Sequence, residues 1–95
     1  MGNEIELAVE RVISADPART TCLVRCLRGD LVDGTRLRAV DDDGTAIPAA
    51  STLVVIEMIR YDHRVDLVDP PHIARILLDG TLGQAGPPAR LVGPA

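Results

Sequence analysis

The sequence predicts an all-β protein, a small antiparallel β-barrel of about six or seven strands. Apolar and polar residues alternate with a period of two in several short stretches, and turn residues separate these stretches at regular intervals. No stretch has the period of an amphipathic helix. The 95 residues form one domain with a modest core. Because Tyr61 is the only aromatic residue, that core has to be aliphatic, and its many β-branched side chains favour strands.

The first half of the chain contains three predicted strands. In residues 4–10, apolar side chains alternate with glutamates, which predicts a half-buried strand. Residues 14–19 are predicted to form a loop because they include an Asp-Pro pair. The second strand is predicted over Thr21 to Arg28 and the third over Thr35 to Val40. Between these two strands, residues 29–34 are predicted only to turn the chain.

The second half begins with a turn at residues 41–44, where Gly44 is free to adopt a positive φ. The longest strand is predicted over Thr52 to Arg60, and a short strand is expected near residues 65–68. Another strand follows the two prolines, over His72 to Leu78.

The barrel domain is therefore expected to occupy residues 1–80, with a last strand over 89–92. Residues 81–88 and 93–95 are rich in glycine and proline and are predicted to be a loop and a tail.

A ten-residue segment, Arg28 to Leu37, has the pattern R-G-x-L-x-x-G-x-x-L, and the apolar segments at residues 53–60 and 72–80 follow it. In this order and spacing, the three segments resemble the second domain of the translational GTPases, the barrel best known from elongation factor Tu. The resemblance covers about Ile5 to Val92. It implies a barrel of the reductase and elongation factor common type, in which the ten-residue segment joins two strands.

The same resemblance implies RNA or the ribosome as an alternative partner, because parts of this barrel in elongation factor Tu contact the end of aminoacyl-tRNA. The chain departs from the family at residues 17–21 and 68–71, where characteristic glycines are missing. It also lacks a phosphate-binding G-x-x-x-x-G-K-[ST] motif and contains no lysine, so no nucleotide is expected to bind.

The sequence contains no recognisable catalytic or metal-binding constellation, so neither enzymatic activity nor a cofactor is expected. Cys22 and Cys26 lie ~13 Å apart on a strand, which is too far for a disulfide, and are predicted to be reduced and buried. His63 and His72 lie near aspartates in the sequence, but no third residue completes a metal-binding or acid–base site. Both histidines are therefore predicted to be surface residues. The acidic run at residues 41–43 lacks the spacing of a calcium loop.

The predicted location is the cytoplasm, without membrane association. The first residues show neither a basic region nor an apolar region of a signal peptide, and no apolar run reaches transmembrane length. The net charge of −4 excludes a basic field over the whole molecule, although it permits a local basic patch.

One interaction face is predicted on the hairpin that the second and third strands would form. If Cys22, Val24 and Cys26 point inward, the alternating positions point outward and combine guanidinium groups with leucines. The face comprises Leu23, Arg25, Leu27, Arg28, Arg36 and Arg38. Such a surface suits a protein partner or RNA phosphates. It is equally compatible with a solvated sheet face on which arginine stems cover apolar neighbours.

The leading hypothesis is a stand-alone, non-catalytic barrel that acts through a protein partner or through self-association, for example as a weak dimer. The alternative is an RNA- or ribosome-associated module related to the elongation factor barrel. An enzyme of another type is disfavoured because no catalytic constellation is present.

Overall fold

The computed structural model describes residues 4–47, 50–82 and 88–94. Within these ranges the chain forms nine β-strands and no helix. The strands are β1 (Ile5–Ala15), β2 (Arg19–Arg28), β3 (Leu31–Val32), β4 (Arg36–Val40), β5 (Leu53–Arg60), β6 (His63–Val65), β7 (Leu67–Val68), β8 (Ile73–Asp79) and β9 (Arg90–Gly93).

Six of the strands close into a ring, and this confirms the predicted antiparallel barrel. Going round the ring, β1 pairs with β2, β2 with β8, β8 with β5, β5 with β4, β4 with β9, and β9 with β1. Every pairing is antiparallel. The remaining strands are short: β6 extends β5 as a hairpin, and β3 pairs with β7 in a separate two-stranded sheet.

The core fills the inside of the ring with aliphatic side chains, as the shortage of aromatic residues requires. The predicted inward positions of the first strand, Ile5, Leu7 and Val9, are all buried. Thr20 is the one buried polar side chain among the described residues, and its hydroxyl donates a hydrogen bond to the carbonyl of Gly80 at 3.1 Å. The interior is therefore apolar, with its single hydroxyl satisfied.

The first two strands are longer than predicted. β1 runs for 11 residues to Ala15, and β2 begins at Arg19, so the predicted loop over 14–19 is reduced to a tight turn. Asp16 caps this turn by accepting hydrogen bonds from the backbone N–H groups of Ala18 and Arg19, both at 2.8 Å. These hydrogen bonds lower the pKa of the Asp16 carboxyl.

The prediction that residues 52–60 form the longest strand is accordingly wrong, since β5 has 8 residues. Three register shifts interrupt the β1–β2 ladder, the last of them between Val12 and Ser14. Each bulge moves one residue out of the alternation. The period of two therefore fades after residue 10, although the strand continues.

Residues 29–34, predicted only as a turn, contain the strand β3. Leu31 pairs with Val68 of β7, and both side chains are fully buried. The sequence pattern does not predict β3 because a two-residue strand is too short to show any period. Leu31 thus anchors the connection between β2 and β4 to the core.

The C-terminal strand lies one residue later than the predicted 89–92 and takes its place in the ring between β1 and β4. The predicted loop over 81–88 and tail over 93–95 include residues 83–87 and 95, which lie outside the described residues. The predicted barrel boundary at residue 1 also falls outside them. The described part of the tail includes Gly93, which belongs to β9.

Candidate functional site

The predicted interaction face depended on a hairpin between the strands now labelled β2 and β4, and that hairpin is wrong. β2 pairs with β1 and β8, whereas β4 pairs with β5 and β9. The two strands are three pairings apart in either direction round the ring, so they lie on opposite sides of the barrel. β3 occupies the connection between them and pairs with β7 instead.

The predicted directions of the side chains are confirmed. Cys22, Val24 and Cys26 are buried, and so are Leu37 and Ala39 on β4. The alternating positions point outward: Leu23 and Arg25 are half-buried, while Leu27, Arg28, Arg36 and Arg38 are exposed. The six residues of the predicted face therefore come from strands on opposite sides of the ring, although Arg28 and Arg38 line one cleft at an end of the barrel.

On the β2 side, Arg25 already forms an ion pair and a hydrogen bond within the protein. Its Nε lies 3.2 Å from Glu10 Oε1, and its Nη1 donates to the carbonyl of Pro71 at 3.2 Å. Its charge is balanced by a neighbour, and the guanidinium is oriented along the surface.

Arg28 belongs to a second ion-pair network at the start of β1. Its Nη2 lies 3.2 Å from Glu4 Oε2 and 3.6 Å from Glu6 Oε1. Arg90 of β9 reaches the other oxygen of Glu6, with an Nη1 to Oε2 distance of 2.5 Å. Three strands are thus tied together by charge, which reduces the availability of Arg28 to a ligand.

On the β4 side, Arg36 and Arg38 form no ion pair with any side chain in the described part of the chain. Arg38 lines a cleft of about 370 Å³ together with Arg28, and Glu4 lies in the same cleft. Because Glu4 is paired with Arg28 in this cleft, little of the charge of Arg28 is available there to bind an anion.

A second cleft, of about 280 Å³, lies where the outer surfaces of β1, β2, β8 and β5 meet the β5–β6 turn. We call it the β5–β6 groove. It is lined by Arg11, Ile13, Leu23, Ile59, Arg60, Tyr61, Asp62, Ile73, Ala74 and Arg75. Of these residues, only Leu23 belongs to the face predicted from the sequence.

Strand register builds the centre of this groove. Leu23 of β2 is paired with Arg11 of β1 on one side and with Arg75 of β8 on the other. Arg75 is in turn paired with Ile59 of β5. Outward side chains of paired residues are neighbours on one sheet face, so cationic and aliphatic groups alternate across four strands.

The β5–β6 turn forms one wall. Tyr61 and Asp62 connect the two strands with φ values of 52° and 64°, the pattern of a type I′ turn. A bulky residue at positive φ is uncommon, and here it leaves the Tyr61 ring 85% exposed. The guanidinium of Arg60 lies 5.2 Å from the centre of that ring, within the range of a cation–π contact.

Two of the five exposed large aliphatic side chains among the described residues line the groove, and the other three, Leu27, Val32 and Leu67, lie outside it. Ile13 and Ile73 are 44% and 37% exposed, and Leu23 is half-buried between them and the arginines. Large aliphatic side chains at this exposure, close together on one rigid sheet, are typical of interaction surfaces.

The groove is also cationic. Arg11, Arg60 and Arg75 form no ion pair with a side chain that the structure describes, and Asp62 is the only acid lining the groove. Its formal charge is therefore +2, on a chain whose net charge is −4. The groove is therefore cationic on a chain that is acidic as a whole.

Among the described residues that line the groove, Asp62 is the only one of the His, Cys, Asp and Glu side chains that commonly bind metal ions. Throughout the described ranges, no cluster of three or more His, Cys, Asp or Glu side chains is suited to hold a metal ion. His63 and His72 are exposed, as predicted, and His72 Nδ1 lies 2.9 Å from Asp69 Oδ1. The arrangement supports binding chemistry through guanidinium groups and apolar contact.

The two cysteines are free and fully buried, which confirms the prediction for both. Burial raises the pKa of the Cys22 thiol to about 12. It also raises the pKa of Cys26, whose Sγ donates to the carbonyl of Gly29 at 3.1 Å. Both thiols are therefore protonated at neutral pH and poorly reactive.

No protein-family model matches the chain, and a search of curated proteins finds no match to it. Within the described ranges the chain has no helix long and apolar enough to cross a membrane.

Proposed function

We propose that this barrel is a non-catalytic interaction module that docks a partner protein on the β5–β6 groove. The observation that supports this most directly is the row in which Arg11 and Arg75, which form no ion pair with a described residue, alternate with the half-buried Leu23 and Ile59 across paired strands. Arginine and apolar anchors together are the residue types that contribute most to protein interfaces.

The scaffold suits such a role because the groove is built on strands that are hydrogen-bonded on both sides. β2 lies between β1 and β8, and β8 lies between β2 and β5. Side chains on such strands need little backbone ordering when a partner binds, so less binding energy is lost to entropy. We place the module in the cytoplasm, where its two reduced, buried cysteines are compatible with the redox conditions.

Self-association through this same groove is the less favourable form of the proposal. In a two-fold dimer the same patch faces itself, so Arg11, Arg60 and Arg75 would approach their own copies. Like charges brought together at an interface are unfavourable. A weak dimer would have to use another surface, such as that around Leu27.

Sedimentation velocity measurements separate these forms. The wild type and the Leu23→Asp/Leu27→Asp variant are compared over a range of protein concentrations. Concentration-dependent association that the variant loses supports a homodimer, whereas a monomeric wild type leaves only the partner-docking form.

Docking itself is tested with a photo-cross-linking amino acid placed at position 73 in cells. We expect a discrete adduct that disappears when Leu23→Asp is added. The matched control carries the cross-linker at position 38, on the opposite side of the ring. Equal adducts from both positions would argue against the groove as the docking site.

A second candidate function is an RNA- or ribosome-associated module related to the second domain of elongation factor Tu. The exposed Tyr61 ring beside Arg11, Arg60 and Arg75 supports it, since single-stranded nucleic acids bind through base stacking and phosphate contacts. The resemblance of the Arg28 to Leu37 segment to that family supports it as well.

The RNA proposal is tested with a fluorescent single-stranded RNA at 50 and 200 mM salt. RNA binding through phosphate contacts should weaken steeply between these conditions and be lost in Tyr61→Ala. Absence of binding at the lower salt concentration would exclude it.

A further inference from the structure

We infer that the β5–β6 groove accepts an acidic segment of a partner protein, with carboxylates paired to Arg11, Arg60 and Arg75 and aliphatic side chains packed on Leu23 and Ile73. This inference rests on the docking function proposed above and names the chemical class of the docked segment.

The charge of the groove gives the first argument. Arg25, Arg28 and Arg90 on the neighbouring surface are each paired with a glutamate of β1. Arg11 and Arg75, in contrast, have no acidic partner among the described residues. The protein is acidic overall, yet three arginines and one aspartate line this groove, so it has a formal charge of +2. Complementary charge selects an acidic partner and accelerates its encounter.

Arg60 gives the second argument. Its Nε is enclosed and has no hydrogen-bond acceptor in the described part of the chain, while its guanidinium lies over the Tyr61 ring. A guanidinium offers five N–H groups in a planar fork that matches the two oxygens of a carboxylate. Arg60 lines the groove and forms no ion pair with a described residue, so a docked carboxylate would pair with the terminal N–H groups of its guanidinium and not with the enclosed Nε.

The aliphatic surface gives the third argument, because it distinguishes a protein segment from a polyanion. Ile13, Leu23 and Ile73 present methyl groups that a leucine or valine of a partner can cover. RNA offers little surface for such contacts. The net negative charge of the chain opposes a phosphate backbone at long range.

The inference is tested by selection from a random library of twelve-residue displayed peptides on the immobilised wild-type protein. We expect the selected peptides to be enriched in Asp and Glu next to Leu, Ile and Val, and depleted of Lys and Arg. The Arg11→Glu/Arg75→Glu variant should reverse this preference towards basic peptides. It should also bind the wild-type peptides at least about tenfold more weakly, as expected for reversal of two charge pairs.

The matched control is Arg36→Glu/Arg38→Glu, which makes the same change of charge on the opposite side of the ring. It should select the same acidic peptides as the wild type, with affinities within about twofold. Circular dichroism of each variant confirms that the barrel is intact.

The remaining outcomes separate the two levels of the proposal. Selected peptides that require Leu23 but show no acidic preference would overturn the acidic class and leave docking at the groove standing. If the binding of the selected peptides is unaffected by substitutions in the groove, both the acidic class and docking at the groove are overturned. Preferential binding of a single-stranded RNA, measured in parallel, would also overturn both.

Discussion

Leu23 and Arg75 are direct partners across the β2–β8 ladder, so an aliphatic side chain stands beside a guanidinium that forms no ion pair with any described residue. Arg11 occupies the corresponding place on the other side of Leu23. The register of the hairpin strands β1 and β2 with the distant strand β8 thus produces the central row of the β5–β6 groove. Any shift of one residue in either ladder would turn these side chains to the other face and destroy the row.

The two glycines of the Arg28 to Leu37 segment should respond differently to substitution. Gly29 and Gly34 have φ values of 78° and 83°, so alanine is strained at both. At Gly29 the added Cβ would also collide with the carbonyl oxygen of Glu4, whereas at Gly34 nothing lies within 4 Å.

We expect Gly34→Ala to lower the free energy of unfolding by about 1 kcal/mol and Gly29→Ala by several times more. Urea denaturation of both variants measures the difference. Similar losses for the two would show that backbone conformation, and not the approach of β1, determines the glycine requirement.

Leu31 should be an important core residue in spite of its position in a predicted turn. It is fully buried, whereas its neighbour Val32 is 43% exposed. Removing the buried side chain leaves a cavity, so Leu31→Ala should cost about 2–5 kcal/mol of unfolding free energy. Val32→Ala is the control and should cost less than about 1 kcal/mol. Equal effects in denaturant titrations would contradict the anchoring role of β3.

The sequence predicts which side chains face inward because alternation needs only neighbours along the chain. Cys22, Val24 and Leu37 were assigned correctly for that reason. Pairing between strands is a property of the closed ring, and the sequence between residues 28 and 36 suggested a hairpin that does not form. β2 pairs instead with β8, about fifty residues later in the chain.

The groove was missed for the same reason. Its residues lie on four strands and one turn, and single residues such as Arg11 or Ile73 carry no local signal of their shared position. Only the β5–β6 turn had a local cue, and Tyr-Asp is an uncommon pair for a type I′ turn, which usually contains Asn-Gly or Asp-Gly.

The carboxylate of Glu6 should contribute more to stability than that of Glu10. The Glu6 side chain is 20% exposed and meets both Arg28 and Arg90, while that of Glu10 is 40% exposed and meets Arg25 alone. We expect Glu6→Gln to cost about 1 kcal/mol and Glu10→Gln less than about 0.5 kcal/mol, because screening weakens exposed pairs.

Thermal or urea unfolding at low and high salt checks this expectation. The loss caused by Glu6→Gln should shrink as salt rises but persist at 0.5 M, whereas that of Glu10→Gln should vanish. An equal salt dependence would indicate that both pairs are fully solvated.

The thiols should resist modification in the native protein. Cys22 and Cys26 are both buried, so labelling with a disulfide reagent at pH 8 has to wait for the barrel to open. We expect slow labelling of both in buffer and rapid labelling of both in denaturant. Rapid labelling of either cysteine without denaturant would contradict the burial of that thiol.

Burial of Cys22 should also make stability depend on alkaline pH. Its folded-state pKa is about 12, above the ordinary value of 9.0 that the unfolded chain retains. Above pH 9 the unfolded state therefore loses this proton while the native state keeps it, and deprotonation favours unfolding. The contribution of the Cys22 thiol to stability is fully present below pH 9 and declines by about 1.4 kcal/mol for each pH unit between 9 and 12.

Urea titrations of wild type and Cys22→Ala at pH 7, 8, 9.5 and 10.5 isolate this contribution, since other groups titrate equally in both proteins. The alanine variant should be less stable by a constant amount up to pH 8, and this deficit should shrink at the two higher values. A difference that stays constant up to pH 10.5 would mean that the Cys22 thiol ionises in the folded barrel as readily as in the unfolded chain.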